Sequence, residues 1–183
     1  MGLLEYSNHP RVVSKLGNSS NKNEVLQAIN NLAPSRGSGS VTSEALEEAA
    51  RNIFNEEAGG RPGVPRALIL VTHSKSSSIS TPTAQAVRLL RSAGVRVYVV
   101  SIGNRVDALE LEGISSGKGT IYSVGVPSGV PTMATVVVKN INEDIRRSKF
   151  NMFSVAVRFF RFSVVFCRFF LLRKTTKKRL KND

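Results

Sequence analysis

The run Ala67-Leu68-Ile69-Leu70-Val71-Thr72, followed directly by His73-Ser74-Lys75-Ser76-Ser77-Ser78, decides the fold of this chain. Six apolar or β-favouring residues without a charge predict a strand that is buried on both faces, as strands inside a parallel sheet are. The polar residues then lie at the carboxyl end of that strand, where open α/β sheets bind their ligands. Because residues 73–78 lie at this position, we expect them to decide the function. They offer an imidazole, hydroxyls and a lysine but no carboxylate.

Predicted strands and helices alternate on both sides of this run. Apolar spacing and turn residues predict a hairpin of strands 2–7 and 11–16, helices 21–32 and 42–54, strand 67–72, helix 83–93, strand 95–102, helix 107–114, strand 120–124 and a last helix 133–145. Thr42 is the expected cap of the second helix, and Gly94 is expected to end the third. The alternation predicts an α/β fold with a doubly wound, mostly parallel sheet flanked by helices.

Charge divides the chain into two parts. The whole chain carries a formal net charge of +13, but most of the excess lies after residue 145, together with nearly all phenylalanines. We therefore predict a domain at residues 1–145 and a basic, Phe-rich tail at residues 146–183. The high isoelectric point belongs to the tail, so it does not indicate a nucleic-acid-binding fold. One cysteine, Cys167, excludes an internal disulfide and a thiolate zinc cluster.

Four stretches, in order along the chain, resemble one family. They are Gly2-Leu3-Leu4-Glu5-Tyr6-Ser7 with the helix at 21–26, the loop and helix from Ser40 to Phe54, the strand Ala67 to Ser74, and Val95 to Gly103. Together they resemble von Willebrand factor type A domains, most closely the copies in collagens and matrilins. The resemblance implies a non-enzymatic, protein-binding adhesion module of the extracellular matrix, although the first residues contain no signal peptide.

The resemblance also implies a divalent-cation site, and this sequence departs from it. The family takes its ligands from an Asp-x-Ser-x-Ser loop after the first strand, from a threonine and from an aspartate. Here the first loop is missing, the threonine position falls on Ser40, and the aspartate position falls on His73. Mg²⁺ prefers oxygen ligands with carboxylate charge. We therefore expect a degenerate adhesion site with no metal and no other cofactor.

Partner recognition is then expected from the loops at the carboxyl ends of the strands. These loops span residues 38–42, 73–78 and 103–106, and the candidate binding residues are Ser40, Thr42, His73, Ser74 and Asn104. The predicted partner is a protein, in particular a matrix component. No arrangement of Ser, His and Asp residues suggests catalysis, and the Gly113 to Lys118 stretch departs from a phosphate-binding loop in spacing and context.

The missing first strand poses a structural problem, because in the family it lies between the strands that begin here at Gly2 and Ala67. Its loss would leave backbone groups unpaired, at a cost of about 1–3 kcal/mol for each buried group. Either the two neighbouring strands pair directly, or another segment fills the gap, or the chain is a fragment of a longer protein. Of these alternatives we favour the fragment.

The tail offers an alternative function. On a helix, residues 152–172 place Ser154 and three arginines on one narrow face, which favours a helix lying on a membrane surface. Anionic lipid would be bound by Arg158, Arg161, Arg168, Arg173, Lys174, Lys177 and Lys178. Packing against a core, non-specific phosphate binding and a non-native end of the sequence are the other interpretations that stay open.

Overall fold

The structure, a computed structural model, describes residues 1–18, 21–32, 40–77, 82–117, 119–152 and 163–167, the side chains of residues 148–152 and 163–167 excepted. Its strands are β1 (Gly2–Tyr6), β2 (Pro10–Ser14), β3 (Arg66–Ser74), β4 (Val95–Arg105), β5 (Ile121–Val124) and β6 (Ser163–Cys167). Its helices are α1 (Lys22–Asn30), α2 (Thr42–Asn52), α3 (Thr83–Ser92), α4 (Ala108–Ile114) and α5 (Val130–Met152), with a short 3₁₀ turn at Pro127–Gly129.

The strands form one six-stranded sheet in the order β2-β1-β6-β3-β4-β5. The β1–β2 hairpin is antiparallel, and every other pair is parallel. This confirms the predicted α/β fold with its mostly parallel sheet, and each element predicted within residues 1–145 is present.

Strand β3 is buried on both faces, as its uninterrupted apolar run predicts. Leu68 and Leu70 point into one core layer, while Ala67, Ile69 and Val71 point into the other. The alternation follows from the two-residue period of a strand. Because β3 contributes to both layers, the helices on the two sides of the sheet depend on it together.

The first core layer lies between the sheet and helices α2, α3 and α4. Its fully buried side chains include Leu46, Phe54 and Leu90. The second layer lies under α5, where Val137, Ile141 and Ile145 pack on β3, β4 and β5. Helix α1 differs from both groups, because none of its residues is buried.

A polar contact fixes α5 to β4. The Tyr98 hydroxyl donates to Asp144 Oδ2 at 2.8 Å, and an Arg96 guanidinium nitrogen lies 3.1 Å from the same oxygen. Burial, and then the hydrogen bond to Asp144, raise the pKa of the Tyr98 phenol. The last helix, whose Val136-Val137-Val138 run locally favours a strand, is thus held as a helix by packing and by this contact.

Two local predictions are wrong. Thr42 is the first residue of α2 rather than its cap; the cap position is Val41, which makes no side-chain bond. Strand β4 continues through Arg105, so the loop expected at residues 103–106 is mostly strand. Gly103 permits this extension with a φ of 82°, a backbone conformation that residues other than glycine rarely adopt.

Strand β6 occupies the gap between β1 and β3, so those two strands do not pair directly. Its register places Val165 beside Gly2 on one side and beside Leu68 on the other. Among the described residues, the gap is thus filled by another segment of the chain, and the favoured expectation that the chain is a fragment of a longer protein stays a prediction. One interpretation of the tail, a continuous helix over 152–172, does not hold for residues 163–167, which form a strand paired on both edges.

The tail's predicted lipid-binding residues lie outside the described residues; these are Arg158, Arg161, Arg168, Arg173, Lys174, Lys177 and Lys178. Helix α5 runs past the predicted domain boundary at residue 145, to Met152. Within the described part of the chain, no helix has both the length and the apolar character that crossing a bilayer requires.

The placement of β6 predicts a disulfide that the natural chain cannot form. Cys167 is the register partner of Leu70, and neighbouring strands lie about 4.8 Å apart, within the Cα–Cα range that a disulfide bridges. We expect Leu70→Cys to form an intramolecular disulfide with Cys167 on mild oxidation, detected as loss of both free thiols in a monomeric species by mass spectrometry.

Leu68→Cys is the matched control, because Leu68 is equally buried in the same strand but pairs with Val165. Free thiols that persist in Leu70→Cys, or the same disulfide yield in both variants, would contradict the register of β6.

Candidate functional site

The candidate site lies where β3 and β4 end and where α2 and α4 begin. We call this region the carboxyl pole and define it as residues 40–43, 72–77 and 104–110. It is the edge at which open α/β sheets bind ligands, and it contains every predicted binding residue of the domain.

Two short segments of the carboxyl pole are fastened to each other by hydrogen bonds. The Ser40 amide donates to Ser77 Oγ at 2.8 Å, and the Ser77 amide donates back to the Ser40 carbonyl at 2.8 Å. Ser76 Oγ donates to the same carbonyl at 3.0 Å and accepts from the Thr42 amide at 3.3 Å. We call these four residues the serine clasp. It holds the loop after β3 against the start of α2.

Helix α4 supplies the acidic groups beside the clasp. Glu110 Oε2 accepts from the Ser76 amide at 3.0 Å, and Glu110 Oε1 is buried without a hydrogen-bond partner among the described residues. Asp107 Oδ1 caps the helix by accepting from the amides of Leu109 and Glu110. The amide of Glu110 is the largest cause of the lowered pKa of the Asp107 carboxyl, to which the amide of Leu109 and the charge of Lys75 also contribute.

Basic groups surround the end of β3. His73 is exposed, and partial burial, followed by the nearby Arg105 guanidinium, lowers the pKa of its imidazole. The Lys75 amide donates to the Arg105 carbonyl at 2.7 Å, and Lys75 Nζ lies 3.5 Å from Asp107 Oδ2. The carboxyl pole therefore holds two cationic side chains, Lys75 and Arg105, and two carboxylates, Asp107 and Glu110.

The predicted binding residues divide into covered and exposed ones. Ser40 is 3% exposed, and Thr42 is buried as well. Ser40 Oγ has no hydrogen-bond partner in the described part of the chain. His73 and Asn104 are exposed on neighbouring strand ends, while Ser74 is half-buried. The structure thus brings all five residues to one pole, with His73 and Asn104 at its surface.

Sequence reasoning missed three residues that shape the pole, namely Ser76, Ser77 and Glu110. The serines appeared only as polar residues after a strand, since nothing local indicates a bond to a segment far earlier in the chain. Asp107-Ala108-Leu109-Glu110 has the spacing of a capping box. Instead of closing such a box, Glu110 accepts from the Ser76 amide, so the local motif predicts the helix start and not this contact.

No group of three or more histidine, cysteine, aspartate or glutamate side chains able to hold a metal ion occurs in the ranges that the structure describes.

Comparisons with known proteins agree with this architecture. The model of the von Willebrand factor type A domain family matches residues 1–133. The collagen alpha-6(VI) chain of Mus musculus is 40% identical over 113 residues, which are 60% of this chain and 5% of that protein. Matrilin-1 of Gallus gallus is 33% identical over 116 residues, which are 63% of this chain and 22% of that protein. The chain thus spans only a small part of these relatives.

A solved structure is similar in fold. Proximal thread matrix protein 1 from the mussel byssus superimposes with a TM-score of 0.71 at 24% sequence identity, covering 75% of this chain and 35% of that chain. At this identity the likeness shows the arrangement of strands and helices alone.

The serine clasp should contribute measurably to stability. In Ser76→Ala, the Thr42 amide loses its acceptor in a buried position, which costs about 1–3 kcal/mol. We expect the free energy of unfolding in urea to fall by this amount and the Thr42 amide to exchange its hydrogen faster. Ser92→Ala, in an exposed position on α3, should change stability by less than about 0.5 kcal/mol. Equal losses in the two variants would show that the clasp contributes nothing.

The lowered pKa of His73 predicts a pH-dependent stability. Since the folded state favours the neutral imidazole, the unfolded chain binds the proton more readily, and stability falls as the pH drops below the ordinary value of 6.5. We expect His73→Gln to lose less stability than the natural chain between about pH 7.5 and pH 5.5, as measured by thermal unfolding. Parallel losses in the two proteins would contradict the influence of Arg105 and burial.

Proposed function

Since this chain belongs to the von Willebrand factor type A domain family, we propose that it is a protein-binding adhesion module that acts in the extracellular matrix. Its ligand is a matrix protein, and the contact is made by the carboxyl pole without a divalent cation. The matrix location and the protein ligand are supported by the relatives, which include a collagen VI chain and a matrilin.

The observation that carries the proposal is the serine clasp. In the family's pattern a hydroxyl at the position of Ser40 faces a cation. Here the Ser40 backbone is bonded to Ser76 and Ser77, and its side chain is covered. We infer that these hydrogen bonds fix the Ser40 backbone without a bound ion.

The donor set does not fit a hard divalent cation. Mg²⁺ and Ca²⁺ require several oxygen ligands and favour carboxylate charge. The two family positions present in this chain offer a hydroxyl, at Ser40, and an imidazole, at His73. The positive charge of Arg105 near His73 further opposes a cation. Glu110 lies beside the clasp, and one of its oxygens already accepts from the Ser76 amide.

The exposed rim of the pole supports binding of an acidic protein surface. Lys75, Asn104 and Arg105 are exposed, and of these Lys75 is paired with Asp107. Arg105 is therefore the charge most available to a ligand. We propose binding rather than catalysis, because the relatives include matrix proteins such as a collagen VI chain and a matrilin.

We expect Arg105→Glu to weaken binding to immobilised collagen VI microfibrils or fibrillar collagen at least tenfold, as measured by surface plasmon resonance, because it reverses a charge at the contact. Arg88→Glu, which makes the same charge change at an exposed position on α3, should bind like the natural chain. Binding should be equal in EDTA and in magnesium.

Three results would count against the proposal. The first is the absence of saturable binding to either collagen preparation, and the second is an equal loss of binding in the two arginine variants. The third result would contradict only the statement that binding needs no divalent cation. It is tight binding of magnesium in titration calorimetry that is lost in Ser40→Ala or Glu110→Gln.

A further inference from the structure

The sheet consists of two blocks that no strand other than β6 joins within the described residues. One block is the β1–β2 hairpin, and the other is β3–β4–β5. Strand β6 pairs with β1 over Gly2–Leu4 and with β3 over Arg66–Leu70. The central position of the sheet is thus filled by a segment from the far end of the chain.

The position that β6 fills has a strong requirement for a strand. The side chains that flank it are buried, among them Leu3, Leu4, Leu68 and Leu70. Backbone amides and carbonyls on the facing edges of β1 and β3 would otherwise stay unpaired between these covered side chains, which costs about 1–3 kcal/mol for each group. Any strand with the right register satisfies the same groups.

Helix α2 also links the two blocks. Its buried residues, such as Ala45, Leu46 and Ala49, belong to the core layer that also contains Leu4 and Tyr6 of β1 and Leu68 and Leu70 of β3. The Val41 amide at the start of α2 donates to the Ser7 carbonyl at 3.0 Å. The gap between β1 and β3 is therefore defined by elements other than β6 itself.

Strand β6 is also connected to the rest of the fold by a long segment. Residues 153–162 separate it from α5, and a segment of this length can reach roughly 30 Å when extended. Helix α5 packs on the opposite face from α2. The covalent connection thus does not require that β6 enter the sheet of its own copy.

From these observations we propose that β6 is exchangeable and that the gap between β1 and β3 binds the β6 strand of a second copy of this chain. The same register pairs form within one chain and between two chains, so the closed monomer and the exchanged dimer differ mainly in the entropy of the connecting segment. Exchange of identical elements gives a symmetric dimer. The share of the dimer rises with protein concentration, because the β6 strand of a second copy competes with the β6 strand of the same chain. The latter acts at an effective concentration in the millimolar range.

A mixed-disulfide experiment with full-length chains tests this proposal. The acceptor carries Leu70→Cys and Cys167→Ser, so it offers a thiol only on β3. The donor is the natural chain, with its thiol only on β6, and it carries an affinity tag. The two proteins are equilibrated together under reducing conditions at about 10 μM and about 1 mM, oxidised, and resolved on non-reducing gels.

A disulfide between acceptor and donor at the Leu70 position requires the donor's β6 beside the acceptor's β3. We expect this species at a yield at least tenfold above that of a control acceptor with Leu68→Cys and Cys167→Ser, and more of it at the higher concentration. Peptide mapping should locate the bond between positions 70 and 167. An equal yield with both acceptors, or none with either, would overturn the proposal.

A second acceptor guards against misfolding of the first. Leu4→Cys with Cys167→Ser places the thiol on β1, where Leu4 is the register partner of Cys167. Leu3→Cys with Cys167→Ser is its control, since Leu3 pairs with Phe166. If the intramolecular disulfide of Leu70→Cys forms but neither acceptor captures the donor, β6 closes its own chain and no exchange occurs.

Discussion

The rest of the structure depends on one constraint: the backbone amides and carbonyls on the facing edges of β1 and β3 must be hydrogen-bonded. Parallel strands buried on both faces have no water to satisfy their amides and carbonyls, so each edge requires a neighbouring strand. The apolar run of β3 makes this requirement unavoidable, because Leu68 and Leu70 enter one core layer and Ile69 enters the other. A strand from the tail, β6, meets the requirement, and the sheet becomes continuous from β2 to β5.

The carboxyl pole depends on the same strand in a different way. Within the described residues, β6 pairs with β3 from Arg66 to Leu70. Beyond Leu70, β3 pairs with β4, accepts a hydrogen bond from the Tyr6 hydroxyl at the Val71 carbonyl, and leads into the serine clasp. The bonds of Ser76 to Ser40 and Thr42 fix the loop after β3. The geometry of the site therefore follows from hydrogen bonds between segments distant in sequence, placed at the end of β3.

How far the sequence predicts this molecule depends on whether the signal is local. Strand β3 follows from an uninterrupted apolar run, β4 from the mostly apolar stretch 95–102, and α4 from its apolar spacing, because the residues that decide these elements are near one another in sequence. Strand β6 does not follow in this way. Its residues Ser163-Val164-Val165-Phe166-Cys167 lie in a longer run of apolar and arginine residues that is equally typical of a membrane-surface helix. Pairing with β1 and β3 decides between the two, and that pairing is non-local. The contacts of Ser76 and Glu110 escape prediction for the same reason.

Strand β6 and the carboxyl pole lie at different ends of β3, and this separation has a consequence for binding. Since the serine clasp and β6 stabilise different ends of β3, an exchange of β6 between two copies would leave Ser40, Ser76 and Ser77 in place in each. A dimer of this kind would present two intact poles with exposed His73 and Arg105. Two linked sites bind a repetitive surface far more tightly than one, since the second contact is intramolecular. Under the proposed function the ligand is a matrix protein, which presents such a surface when it is assembled into a fibril, so a weak single-site contact at the pole would become strong where the chain is concentrated.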